Sequence, residues 1–252
     1  MFALGKNIGY DFAGVVSAYK SDMNFSEKQK EAWDMVRKSI DDGIPCYGWE
    51  LEAAEFYIVK GYDDAGYYYN GPGADPVKGP KPWQELNNTG IGIIGMVSVR
   101  RGQPAEDVTA VKEAMEFALE HSGGKKWVLP RYNSGLAGYD KWIETLEQGK
   151  ANDIGMAYNA AVWAECRTMA CMFLEETKQR INGSVRPLLN EAIDSYYPIA
   201  DSLNKVADLF PMFPQGEIND PERCKKALVH LKRARDAEAT ALKSLEKIVA
   251  NL

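Results

Sequence analysis

A chain of 252 residues, 45% hydrophobic and 26% charged, has ordinary globular composition and room for one large domain or two modest ones. Its formal net charge of -6 argues against a nucleic-acid partner, because polyanions are held by Lys and Arg that neutralise phosphates. No apolar run reaches the roughly 18 residues of a membrane span, and Met1 to Lys6 lack the apolar stretch of a secretion signal, so a cytoplasmic protein with neither nucleic-acid nor membrane partners is expected.

In chain order, Ala13 to Tyr19 fits either a short helix or a strand. A helix is expected from Ser26, with Ser26 and Gln29 as a capping-box pair, Trp33, Val36 and Ile40 on one face, and Gly43 as its stop. Ile44 to Trp49 reads as a strand, and Phe56 to Tyr62 as a second strand that is apolar throughout. Asp63-Asp64-Ala65-Gly66 has hairpin chemistry, since Asp and Gly accept left-handed turn conformations, and Tyr67 to Tyr69 returns as a third strand. Residues 70–82, rich in Pro and Gly, form a loop; Trp83 to Leu86 make a single helical turn; Ile91 to Val99 is a fourth strand.

Helical periodicity takes over near Arg100. Pro104 opens a helix with Val108, Val111, Met115 and Leu119 on one face, broken by Gly123-Gly124. Further helices are expected from Gly135 to Leu146, from a cap at Asp153 to Ile181, and from Pro187 to Phe210, where Pro211 and Pro214 stop the last of these. Asp220-Pro221 starts the final helix, whose seam is Leu228, Leu231, Ala234, Ala241, Leu245, Ile248 and Leu252. The fold class is therefore α+β: a small mixed or antiparallel sheet with a helix over residues 1–103, then an all-helical domain over 104–252.

Most chemical signatures fail on their context. Cys46, Cys166, Cys171 and Cys224 include no CxxC, and His121 and His230 are too few for a Cys/His zinc site, so four buried or half-buried thiols in a reducing compartment are expected, with no metal and no cofactor. Gly90-Ile91-Gly92-Ile93-Ile94-Gly95 spells a dinucleotide fingerprint, but strand rather than helix follows it, so no phosphate meets a helix N-terminus there. The basic group Lys225, Lys226, Lys232, Arg233 and Arg235 is interleaved with acids and apolars and reads as a solvated helix face. Glu50, Glu52 and Glu55 bracket the turn between the first two strands, where carboxylates in unlike environments could do acid–base work; Glu55 borders an apolar strand and is expected to be partly buried. Arg131, Tyr132, Tyr139, Trp142, Tyr158, Asn159, Trp163 and Glu165 bring polar and aromatic groups to the helical half. Asn159 and Trp163, four apart, share a helix face from which Glu165 turns away, and the set serves either core hydrogen bonding or a ligand pocket.

Three runs carry a resemblance: Gly43-Ile44-Pro45-Cys46-Tyr47-Gly48-Trp49, then Glu55-Phe56-Tyr57-Ile58-Val59-Lys60-Gly61-Tyr62-Asp63-Asp64, then Tyr67-Tyr68-Tyr69-Asn70-Gly71-Pro72. Over about residues 26–100 they resemble the C39-like branch of papain-fold proteins, in particular the group related to the butirosin biosynthesis protein H N-terminal domain. Residues 133–142 and 157–165 look like the helical extension of some relatives, which also carry additional N-terminal sequence, so the chain is expected to begin inside the ancestral domain. The resemblance implies a Cys nucleophile on an N-terminal helix, a His that activates it and an Asp or Asn that orients the His. Here the His slot holds Glu55, the slot before Pro72 holds Gly71 with Asn70 beside it, and the first cysteine is Cys46, on a strand. A binding protein that has lost the thiol dyad is expected, its old cleft lined by Trp49, Glu50, Glu55, Tyr57, Tyr68 and Asn70 and covered by Tyr158 and Trp163. Alternatives are an acyl- or amide-transfer or hydrolytic enzyme with Glu55 as general base and Asn70 in support, and a scaffold that dimerises through its helices. The partners compatible with these readings are a small-molecule ligand and, for the scaffold, a second copy of the chain.

Overall fold

The structure is a computed structural model that describes residues 3–75, 79–124, 132–212 and 218–252. The expected stop at Pro214 and the expected site residue Arg131 lie outside the described residues. The chain divides into two compact units, Met1–Ala105 and Glu106–Leu252, each with its own apolar core. The first is α+β and the second all-helical, which is the class the sequence patterning predicts.

The first unit is one antiparallel sheet of five strands in the order β1-β5-β2-β3-β4. The strands are β1 (Tyr10–Tyr19), β2 (Cys46–Trp49), β3 (Phe56–Asp63), β4 (Gly66–Asn70) and β5 (Ile93–Arg101). The ambiguous segment before Lys20 is a strand because β5 supplies a full ladder for it, from Tyr10 opposite Arg101 to Tyr19 opposite Ile93, with a bulge at Ser17 (φ 61). The β3–β4 hairpin turns through Asp64-Ala65; the Asp63 carboxylate accepts hydrogen bonds from the Ala65 and Gly66 N–H groups at 2.8 and 3.2 Å. Gly66 is required twice over, by its φ of 155 and by the Lys81 carbonyl oxygen, which would lie 1.9 Å from a Cβ.

Helix α1 (Phe25–Asp41) covers one face of this sheet with Phe25, Ala32, Trp33 and Val36, packed on Val15, Cys46, Tyr57, Val59, Ile94 and Met96. The capping box does not form. The helix starts one residue earlier than expected, Asn24 is its cap position without a side-chain bond, and Gln29 is buried, donating to the carbonyls of Gln84 (2.8 Å) and Leu86 (2.7 Å). The uniformly apolar run in β3 is buried only at alternate residues, because a strand presents successive side chains to opposite faces. Tyr57 and Val59 face the helix, whereas Phe56 and Ile58 are 44% and 57% exposed.

The second unit contains α2 (Asp107–Ser122), α3 (Gly135–Glu147), α4 (Asp153–Arg180), α5 (Arg186–Leu209) and α6 (Pro221–Asn251). α2 begins three residues after Pro104, because Ala105 is still extended and donates its N–H to the Asn7 carbonyl at 3.3 Å. The cap of α4 is Asn152 rather than Asp153: its side chain accepts the Gly155 N–H at 2.9 Å. Asp220 caps α6 as expected, accepting the Arg223 N–H at 2.7 Å, with Pro221 in the first turn. Leu189, Ile199, Leu203 and Val206 of α5 meet Leu231, Ala234, Ala241, Leu245 and Ile248 of α6 in the centre of the core, and α4 adds Ala160, Ala164, Cys171 and Leu174. Two members of the basic group tie α6 to α3: Lys232 bonds Glu147 at 2.7 Å and Arg235 bonds Asp140 at 2.9 Å. Among the described residues no helix is long and apolar enough to cross a membrane.

Candidate functional site

β2, β3 and β4 are neighbouring strands, so the residues expected to line the old cleft are close in the sheet, but the pleat divides them. Trp49, Tyr68 and Asn70 alternate with neighbours that face α1, and so lie on the open face; Tyr57 lies on the covered one. Tyr57 is buried with its hydroxyl accepting the Ala53 N–H (2.9 Å) and donating to the Pro72 carbonyl (2.8 Å), which braces the β2–β3 turn against the loop after β4. The Tyr68 hydroxyl donates to Asp63 at 2.7 Å, and that bond holds the Asp63 carboxyl below the ordinary aspartate range. Asn70 is exposed and accepts the N–H of its own neighbour Gly71 at 3.1 Å. Trp49 packs edge-on against Phe56 with ring centroids 5.0 Å apart.

The three turn carboxylates are dispersed. Glu50 adopts a left-handed backbone (φ 58), is buried, and accepts the Thr89 hydroxyl at 2.6 Å, while its N–H donates to the Glu55 carbonyl. Glu52 accepts the Tyr69 hydroxyl at 3.1 Å. The Glu55 side chain is exposed rather than partly buried, because its backbone closes the turn and its side chain points away from the covered face. The buried carboxylate of the turn, Glu50, is thus already engaged by Thr89, and Glu55 is solvated.

Three of the four cysteines are buried thiols. Cys46 is buried in the first unit, where burial pushes its thiol up against the opposing hydrogen bond from Ser39, and that unit contains no histidine. Burial likewise raises Cys171 and Cys224. Cys166 is exposed, unlike the other three. Among the described residues no cysteine sulfur bonds an imidazole, and no cluster of three or more His, Cys, Asp or Glu could hold a metal ion.

The helical unit does bring side chains together. Trp142, Trp163, Tyr132 and Asn159 line one groove between α3 and α4, of about 330 Å³, with Lys141, Lys150, Asn133 and Met156 around them. Asn159 and Trp163 share it because they are one turn apart on α4. The Trp142 indole N–H is already engaged, donating to the Met156 sulfur at 2.9 Å, so its ring presents an apolar wall. Glu165 points away and is exposed, and Tyr158 is exposed outside the groove.

Behind Trp163 lies a buried polar cluster. The Arg167 guanidinium forks onto the Glu238 carboxylate with nitrogen–oxygen distances of 2.7 to 3.0 Å, and the Tyr139 hydroxyl donates to the same carboxylate at 3.0 Å. Arg167 also sits 5.2 Å above the Trp163 ring, which meets Tyr139 at 4.6 Å and Trp142 at 5.7 Å, both edge-on. Burial first, and then the Glu238 charge, push the Tyr139 hydroxyl up, so it remains a donor. Burial alone would weaken Arg167 as a cation, but the Glu238 carboxylate outweighs it and locks the charge on. This cluster fixes the position of the Trp163 ring at the back of the groove. Arg167 and Glu238 were not among the residues singled out from the sequence, yet a signal exists: Glu238 falls between Ala234 and Ala241, in phase with the buried seam of α6.

These features define an α+β protein with a separate helical unit and an aromatic groove within it. In comparisons with known proteins, no family model and no curated protein matches the chain.

Proposed function

We propose that this is a non-peptidase protein that binds a small molecule in the α3–α4 groove, its first unit being a relic of a C39-like, papain-type fold from which the thiol dyad has been lost. The observation that carries the reading is the groove itself: two indole walls, held by a buried ion pair behind them, face the Asn159 amide and the Lys150 ammonium. Aromatic walls with a few polar groups are what a small-molecule site requires. Flat or aliphatic compounds bearing a carboxylate fit this lining, because the Lys150 ammonium and the Asn133 and Asn159 amides can meet the anion while the tryptophans cover the apolar part. That chemistry differs from the amine-bearing ligands that a cleft lined with glutamates would have favoured. Loss of the dyad is supported by Glu55 in the expected histidine position and by the buried, protonated Cys46. The catalytic alternative draws no support from Glu55, whose side chain is solvated, or from Glu50, which is bonded to Thr89.

Native mass spectrometry of the purified protein, followed by thermal shift against aromatic and aliphatic carboxylates, tests the reading. A ligand at a hundred times its Kd stabilises by about 2.7 kcal/mol, a shift of several degrees in a protein of this size. Asn159→Ala, at an exposed position, abolishes that shift while leaving the unliganded Tm unchanged. A panel without a single shift, or shifts that Asn159→Ala and Trp163→Ala leave intact, refutes it.

A further inference from the structure

We propose that the protein forms an antiparallel, two-fold dimer through the outer face of α4, with the second copy's Ile154 seated in the groove beside Phe173. A helix whose core side is already packed should be polar on the other side. α4 is not: opposite its buried residues Met156, Ala160, Ala164 and Leu174 runs a second apolar stripe, Ile154, Tyr158, Val162, Met169, Met172 and Phe173. These positions recur at intervals of three, four and seven residues, so they form one line about 28 Å long. Ile154 is 77% exposed, Tyr158 58%, Met169 51% and Met172 59%. Set against the ~200 Å² that a large side chain presents, the stripe leaves on the order of 600 Å² uncovered per copy. A stable interface buries about 800 Å² on each partner, of which the α4 stripe supplies about three quarters.

The stripe is complementary to itself when reversed. A two-fold axis passing between residues 163 and 164 sets Ile154 against Phe173 of the second copy, Tyr158 against Met169, and Val162 beside Glu165. Each end of the stripe then finds what it lacks. Ile154 projects from the N-terminal end, and at the C-terminal end Met169 and Phe173 border an apolar groove of about 270 Å³, walled by Ala114 and Tyr196, with room for an aliphatic side chain. Tyr158 opposite Met169 is an aromatic–thioether pairing. Antiparallel helices also align their dipoles favourably. The proposal does not depend on the α3–α4 ligand groove, which Tyr158 and Met169 do not line.

The test is light scattering on size-separated full-length protein, with exposed Cys166 at the stripe's edge as a built-in probe. The wild-type chain is expected to run as a dimer, and a short bismaleimide joins two copies through Cys166. Met169→Glu, at a half-exposed position, gives a monomer of unchanged helical circular dichroism that no longer cross-links, and Cys166→Ser removes the cross-link but keeps the dimer. Glu165→Gln tightens the dimer several-fold, since it removes two like charges near the axis. The proposal is overturned if wild type and Glu165→Gln are both monomers at the highest soluble concentration, or if Met169→Glu leaves the dimer intact.

Discussion

Glu238 occupies a place on α6 that its neighbours' spacing assigns to an apolar side chain, and its burial is tolerated only because Arg167 and Tyr139 complete it. Taking one partner from a buried pair leaves the other charge desolvated and unpaired, which costs more than the pair contributes. Glu238→Ala is therefore expected to destabilise the helical unit by about 3 kcal/mol, whereas Tyr139→Phe, which removes one hydrogen bond, costs about 1 kcal/mol. Urea denaturation followed by helical circular dichroism measures both, and equal effects would show that the carboxylate is held by something other than Arg167. The same residue-scale reasoning accounts for the hydroxyls of Tyr57 and Tyr68. Each looked available from the sequence, and each is spent on a backbone group or an aspartate.

At the scale of elements, Gln29 shows how a local signal yields to a tertiary one. The pair Ser26 and Gln29 has capping-box spacing, yet a glutamine can bridge two carbonyls of the segment 84–86 instead, and burial makes those bonds more valuable than a solvent-exposed cap. Gln29→Ala strands both carbonyls and should cost about 2 kcal/mol. Hydrogen exchange at residues 83–89 should rise well before exchange in β2 and β5, and an unchanged rate there would mean that the segment is anchored elsewhere. α4 carries the converse lesson. Its extent is close to the expected one, but besides its buried side it carries a second apolar stripe, broken by Glu165, that no element of its unit covers.

At the scale of the molecule, the two cores share no residue: one gathers α1 and the sheet, the other five helices. A unit with its own core can fold alone, so a fragment spanning residues 106–252 is expected to give a cooperative helical melt, measured by circular dichroism; a non-cooperative trace would show that its core is incomplete. Hydrophobic period was enough to read the class of each unit, and turn and cap chemistry the β3–β4 hairpin from Asp63 to Gly66 and the start of α6 at Asp220-Pro221, because these depend on interactions between near neighbours in the chain. Asn159 and Trp163 could be placed on one face for the same reason. The strand at β1, the burial of Glu50 and the joining of Trp142 to Trp163 depend on partners tens of residues away. Sequence spacing carries no information about which of those partners the packed core will bring near, so only the tertiary structure decided them.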